Sequence, residues 1–529
     1  MAVDEQSAGA VAEASADTRH LVAASSVVTG LMIVAKLIGL VTQGAIAAVF
    51  GANRATDALR IALSIPPMFS TWVEMPIRAA MVPLFTRKLH AEGEAAAWRA
   101  ASNILNTIGL GLLILVGLLL LAAEPVVRIA APGFRSPEIW KQSAFFARIV
   151  VPSIFFSVLA VLLGSLQNVY RRQQFPALGR VLNGVALLVC VLWLGRIVGL
   201  SGWAVGVLAG SVLAFALQLG VLWRHRRYYR WRVAPRAPEV REAIALVLPL
   251  FVGLTGTRVD VFIEQLLASF LPEGHLSTLA FAVILVGMMT DPLISVTSSV
   301  LLPHFGHLAA QGRLEDLRHR LTQAVTGYLF LILPLVAVLL PGSLPVARLV
   351  FGWGKMTPDQ IALTASLMPV LALAAPVFAV GQVLAQAHIG RGDTRTPMAI
   401  GLWRVGVKIV LSLALLPGLG VLGLAAASAA SSYFRTTLLW RRLPEPIRPP
   451  GRLLARHLAS LLTATAAGAL AVAGLLAVLP EGRGFVMQTV RLGAAAGGGG
   501  LVYLAAALAI SHQARAVAGR LLRRAGLGR

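Results

Sequence analysis

The amino-acid sequence predicts an all-α polytopic membrane protein of about 14 transmembrane helices: two six-helix lobes in parallel repeat plus two extra C-terminal helices. Three observations carry this prediction. Of 529 residues, 57% are hydrophobic and only 13% are charged, roughly half the charged share of a soluble domain. The apolar residues gather into runs at least as long as the roughly 20 residues a helix needs to cross a bilayer. Landmark motifs of the first half recur in the second half at one offset. A soluble globular enzyme could not cover this much apolar surface, and a disordered chain would be far more polar. The alternating strands of an outer-membrane barrel would lower the mean hydropathy below the +0.79 seen here.

Residues 1–20 are polar and Ala-rich, with no cationic stretch ahead of an apolar core, and residues 1–24 read as a cytoplasmic tail rather than a cleaved signal. Apolar runs then fall at 25–50, 57–86, 101–123, 143–170, 176–197 and 201–223, which together make a first lobe over 25–223. The run 57–86 outlasts one bilayer thickness and holds Pro66, Pro67, Pro76 and Pro83, so kinked or projecting helices are expected. A basic linker at 224–241, RHRRYYRWRVAPRAPEVR, mixes arginine with aromatic residues. RNA-binding patches share that composition, but beside an apolar run it reads as a juxtamembrane segment on anionic lipid, with no nucleic-acid partner. The second lobe, 242–440, holds runs at 243–271, 276–303, 321–341, 360–389, 397–417 and 420–440. A basic loop at 441–452 leads to the last two runs, 453–479 and 486–511, within a segment 453–511, and a basic tail closes the chain over 512–529. Ala/Gly-rich stretches in that last pair permit close packing, either as a peripheral pair or as a lipid-facing groove.

The net charge of +24 is distributed unevenly. With the N-terminus inside, the inner segments hold 28 Lys and Arg and the outer loops 8. Such a bias places both termini on the cytoplasmic side of a multi-pass protein and requires an even number of spans. The repeat supports two six-helix halves of the same orientation. MVPLF at Met81–Phe85 is echoed by LLPHF at Leu301–Phe305, with Pro83 and Pro303 spaced by 220 residues; Pro125–Arg128 and Pro345–Arg348 share the spacing, and Pro176 and Pro397 differ by 221. Parallel repeats of this kind build transporters with a central cavity.

Ionisable groups inside apolar runs are expensive unless paired or wet. The first half holds Lys36, Arg60, Glu74, Arg78, Arg148 and Arg180, and the second Arg258, Asp260, Glu264, Asp291, Arg404 and Lys408. They concentrate in the first two spans of each half, as a water-filled cavity would require. Lys36, Arg60, Arg78 and Arg258, with Glu74 and Glu264, are the candidate substrate-binding residues, since guanidinium and ammonium groups suit a phosphate-bearing substrate. Structural pairing of Lys36 with Glu74 and of Arg258 with Glu264, or snorkelling, is the alternative. Asp57 and Asp393 are expected to cap helices, Asp57 that of the second span and Asp393 the one containing Pro397. The single cysteine, Cys190, excludes a disulfide framework, and scattered histidines show no ligand spacing. No metal site, organic cofactor, nucleotide loop or catalytic constellation is expected, so the chain does not read as an enzyme.

The run Ala47–Pro66, AAVFGANRATDALRIALSIP, resembles the signature of the MurJ/MviN lipid II flippases. MVPLF after the second span, LLASFLPEG at Leu266–Gly274, SSVLLPHF at Ser298–Phe305, GRGDTRTPM at Gly390–Met398 and GLAAASAASSYFRTTLLWRRL from Gly423 fit the same family in order. The resemblance covers most of residues 25–442 and extends to the wider MOP exporter superfamily. It implies two lobes of a 14-helix fold in a bacterial inner membrane, and transfer of an undecaprenyl-pyrophosphate-linked sugar-peptide between leaflets by alternating access. Under it, Lys36 stands where the family has a cavity arginine and Glu74 matches an acidic residue of the second span. Asp260 and Asp393 match acidic positions linked to ion coupling, by sodium or protons. Other family charges are absent: Ala282-Val283-Ile284 replaces an Ala-Asp-Arg segment, Thr42-Gln43 an Arg-Asp pair, and residues near Phe69–Thr71 a basic pair. A flippase for another lipid-linked oligosaccharide, or a cation-coupled multidrug exporter, is the alternative, and a scaffold that has lost transport is the non-transport reading.

Overall fold

The computed structural model describes residues 2–134, 136–245, 262–481 and 484–524, with side chains for all of these except 2–25, 71–73, 75–80, 292, 294–300 and 520–524. Almost every described residue is helical and none lies in a strand. This is the form a chain takes when its backbone polar groups have to be satisfied without water. Each expected run coincides with a helix except 243–271, of which residues 246–261 lie outside the description. Ten of the described helices are long and apolar enough to cross a membrane; the chain is a multi-pass membrane protein.

The chain divides into two units. The first takes Met1–Phe50, Ala58–Ala130 and Phe134–Thr255. It is built from α1 (Ala2–Phe50), most of α2 (Arg54–Glu92), α3 (Glu94–Leu121), the short α4 (Ala123–Ala130), α5 (Pro137–Val150), α6 (Ser153–Val169), α7 (Gln174–Val189) and α8 (Leu200–Leu222). Pro152, which has no amide to donate, divides the run 143–170 into α5 and α6. A π-helical turn at Cys190–Leu194 continues α7.

Helix α3 begins seven residues before its apolar run, and the first turns of the run itself carry its polar work. Ser102, Asn103 and Asn106 share one face at helical spacing, and all three are buried. Asn106 donates to the carbonyls of Arg230 and Arg232, both at 3.2 Å, and accepts from the Tyr229 hydroxyl. Asn103 accepts from the Ala234 amide at 2.9 Å and donates to Glu239 at 2.7 Å. Ser102 accepts from the Arg230 amide. The basic linker is therefore not a loose lid but a strap bound to α3. Its start is packed on aromatic rings: His225 stacks on both Trp98 and Tyr170, with ring centroids 5.2 and 5.0 Å away. Burial pushes the Tyr170 phenol up to about 12, and its hydroxyl bridges Trp98 and Glu94. An ion pair between Arg87 and Glu242 fixes the strap's far end.

The second unit takes Gly51–Asp57, Ala131–Gly133 and Gly256–Arg529. Beyond a helical stretch at 262–268 it holds α9 (His275–Ala310), α10 (Leu314–Phe351), α11 (Pro358–Gly390), α12 (Arg395–Leu419), α13 (Val421–Arg442), α14 (Gly451–Val478), α15 (Phe485–Ile510) and α16 (His512–Arg524). The C-terminal pair α14 and α15 packs on α10 rather than standing apart. Small residues allow it: a Cβ added at Gly468 would sit 3.0 Å from the Gly499 carbonyl oxygen, and one at Gly499 would sit 2.2 Å from Val472. Buried Tyr503 donates to the Phe330 carbonyl of α10 at 3.0 Å, and the ring nitrogens of buried His457 face Ser511 and the Thr326 carbonyl.

Replacing Asn106 by Ala removes three hydrogen bonds that hold the strap, each worth about 1 kcal/mol. Amide exchange of residues 229–234, read by mass spectrometry, is expected to accelerate by at least about tenfold while the core of α3 keeps its protection. Unchanged exchange would show that the strap is held elsewhere.

Candidate functional site

Within the first unit, α2, α6, α7 and α8 surround a pocket of about 340 Å³. Its lining is polar for a site among apolar helices: Glu74 and Arg180 supply charge, and Asn168, Asn183, Gln218 and Ser211 supply hydrogen-bonding groups. Close packing sets these groups around one space. A Cβ at Gly164 would meet Pro176 at 3.2 Å, and one at Gly210 would meet the Asn183 carbonyl at 2.8 Å. Gln218 is tied down by the Phe175 carbonyl at 3.2 Å, while its own carbonyl accepts from Gln167. A carboxylate, a guanidinium and several amides give both acceptors and donors, a set suited to an anionic, hydroxyl-bearing ligand.

Among the described residues, Glu74 is the one candidate substrate-binding residue that lines this pocket. Arg60 is 9% exposed, with its guanidinium 5.4 Å from the centre of the Trp203 ring, which also stacks on Phe50. Lys36 is on an exposed side of α1. The side chain of Arg78 and the whole of Arg258 and Asp260 lie outside the described residues. Late in α1, where Thr42-Gln43 stands in place of the family's Arg-Asp pair, Thr42 is buried and bonds back to the Ile38 carbonyl. Arg180, Asn168, Asn183 and Gln218 were not singled out as binding residues. Their signal was available in isolated polar residues within apolar runs, but three of them are uncharged and no periodicity links them.

In the second unit the described acidic candidates Glu264 and Asp393 are engaged. Glu264 receives a hydrogen bond from the ammonium of Lys408, a residue only 2% exposed on α12; its partner is therefore Lys408, and the expected pairing with Arg258 cannot be drawn on described residues. Asp393 does cap a helix as the sequence suggested: its carboxylate accepts from the Thr396 amide in the first turn of α12 and meets His388 Nδ1, each at 3.0 Å. Burial tends to raise the Asp393 carboxyl, but the Thr396 and His388 contacts together outweigh it and hold the group below its usual range.

Asp57 corrects the sequence reading. Asn53 caps α2, accepting from the Ala55 and Thr56 amides at 3.0 Å. Asp57 caps a different helix: its carboxylate accepts from the Gly274 amide at 2.6 Å, the Ser277 amide at 2.8 Å and the Ser277 hydroxyl, at the N-terminus of α9. That end of a helix presents free N–H groups and positive potential, so a carboxylate is the matching ligand. Gly274 has φ +83°, and a Cβ there would lie 2.6 Å from the Ala52 carbonyl oxygen, so only glycine admits the approach. Asp57 and Ser277 are 220 residues apart, the spacing of the sequence repeat. Among the described residues no cluster of His, Cys, Asp or Glu could hold a metal ion.

Comparison with solved structures places this helical arrangement. It superposes on a lipid II flippase MurJ in an inward closed conformation with a TM-score of 0.74 and 17% identity, over 94% of this chain and 99% of that one. It matches a multidrug resistance MATE family transporter of the MOP superfamily, inward-facing, with a TM-score of 0.63 and 14% identity over 79% and 97% of the two chains. The chain thus shares the helical fold of these two proteins. In sequence, residues 46–493 match the family model described as lipid II flippase MurJ. A probable lipid II flippase MurJ of Rhizobium meliloti is 28% identical over 432 residues, covering 80% of each chain. The lipid II flippase MurJ of Burkholderia cenocepacia is 24% identical over 427 residues, covering 78% of this chain and 82% of its own. The chain belongs to the lipid II flippase MurJ family.

Two outcomes follow from these contacts. Asp57→Ala leaves the buried N-terminus of α9 without its acceptor and is expected to cost about 1–3 kcal/mol of stability, with Asp57→Asn intermediate, in thermal unfolding of the detergent-solubilised protein. Because the Asp393 carboxyl is lowered in the folded state, its contribution is full above the ordinary carboxylate range and declines as pH falls through and below about 4. Asp393→Asn should flatten that part of the stability–pH curve; an unchanged curve would contradict the cap.

Proposed function

We propose that this chain is a flippase, performing no covalent chemistry, that moves a polyprenyl-pyrophosphate-linked glycan, lipid II of peptidoglycan synthesis, across the bacterial cytoplasmic membrane by alternating access. Both termini lie in the cytoplasm in this reading, following the 28-to-8 bias of basic residues. Family membership supports the cargo class, and the observation that carries the reading is the polar pocket of Glu74 and Arg180 among apolar helices. Polar space of that kind in a membrane bundle marks a substrate path.

Arg180 offers a planar, permanently charged partner to a phosphate, and Glu74 and the pocket amides offer acceptors and donors to sugar hydroxyls or peptide groups. Lys36, Arg60, Arg78, Arg258 and Glu264 complete the proposed substrate-binding set as the cycle proceeds, Arg60 only after leaving Trp203. The long hydrocarbon tail stays in lipid. A sodium ion or proton acting at Asp260 and Asp393, or the membrane potential itself at about 2.3 kcal/mol per charge per 100 mV, supplies the drive.

Depletion of the protein, with leaflet-resolved labelling of lipid-linked precursors, tests the reading. Precursor is expected to accumulate on the inner leaflet and to clear when the wild-type chain is restored. Arg180→Ala and Glu74→Gln, expressed at wild-type level, should each lower the clearance rate by about tenfold or more, as expected for losing a charged hydrogen bond. Absence of accumulation, or a drug-efflux phenotype in its place, would overturn the assignment.

A further inference from the structure

A second pocket lies in the first unit, away from Glu74 and Arg180. It encloses about 570 Å³ between α3, α6, α8 and the basic strap, within the range of small-molecule sites. Its walls are apolar, built from residues such as Leu105, Leu159, Phe155 and Leu222, with Gly109 leaving room on α3. A Cβ at Gly109 would make only ordinary contacts, 4.0 Å from Leu159 and Phe155, so the space beside it is open. Leu110 and Leu113 line the pocket and are also among the exposed apolar residues of α3, as are Trp223 and Trp231 on the strap. Exposed leucines on a membrane-spanning helix face acyl chains. The pocket therefore opens sideways into the hydrocarbon and ends at an aromatic, arginine-bearing rim.

That rim is charged and built. Arg226 lines the pocket, its guanidinium 5.2 Å from the centre of the Trp223 ring. Arg224, Arg227, Arg230 and Arg232 flank it within the strap, and Ser102, Asn103 and Asn106 hold the strap in place. Loose charge on a flexible loop would explain surface attraction without a pocket; a strap bound to α3 over an apolar chamber is a site. We propose that this chamber binds an anionic glycerophospholipid, with one acyl chain between α3, α6 and α8 and the phosphate on the arginines of the strap. Tryptophan and tyrosine at the mouth sit where aromatic side chains meet lipid headgroups, and a basic site beside membrane helices is a match for an anionic head. The bound lipid fastens the strap that joins the two units in sequence, so its occupancy adjusts how freely that connection moves. This role is separate from the cargo site and does not depend on the cargo's identity.

The test uses the full chain in nanodiscs containing phosphatidylglycerol with a photoreactive acyl chain, in a phosphatidylcholine background. Cross-linked peptides are expected from α3 around Leu110–Leu113 and from the strap around Trp231, above the level at other lipid-facing helices. Arg226→Glu should lower retention of phosphatidylglycerol by about fivefold or more without affecting phosphatidylcholine. Gly109→Phe, which fills the chamber, should remove the cross-links while Gly109→Ala keeps them. Even labelling along all helices of the wild-type chain would overturn the proposal without recourse to a variant. So would equal labelling by a photoreactive phosphatidylcholine, or preferential labelling of the pocket by undecaprenyl phosphate, which would make it a resting place for the cargo's tail.

Discussion

A peptide group inside hydrocarbon has no water to bond with, and every feature of this protein follows from that constraint. It makes the described chain helical nearly throughout, because a helix satisfies its own backbone. It leaves helix ends and polar side chains as the places where bonding remains to be settled. The free N–H groups at the start of α9 are met by the Asp57 carboxylate, and those at the start of α12 by Asp393. Lys408, almost fully buried, is met by Glu264. Each of these contacts meets a polar group, and those of Asp57 and Glu264 join segments distant in the sequence, while that of Asp393 is local.

The same constraint separates packing from function. Between α14 and α15, glycines at 468 and 499 let backbones approach where no polar group is needed, and close dispersion contact holds the pair on α10. Around Glu74 and Arg180 the opposite holds: polar side chains line open space that packing alone would have filled with leucine. The strap on α3 belongs to neither class. It carries the densest positive charge of the chain, yet its backbone is bonded to three buried residues of one helix face, which turns a solvated loop into one wall of a chamber.

Much was legible from residue order alone because the two signals it relies on, apolar run length and the placement of arginine, survive without knowledge of neighbours. Length and composition indicated the helical membrane class and the succession of apolar runs, the residues just after Asp393 its capping role, and the 220-residue echo of Pro83 in Pro303 the internal repeat. The choice of partner was not legible. Nothing in the order of residues says that Asp57 serves α9 rather than its own helix, that Arg60 rests on Trp203, or that Lys408 meets Glu264. Those outcomes depend on which helix faces meet, which is settled by glycine-sized gaps and by burial summed over many side chains. Run length and charge are properties of a segment, whereas a polar pocket such as that of Glu74, Asn168, Arg180 and Gln218 is a property of four helices at once, and only the tertiary structure brings them to one place.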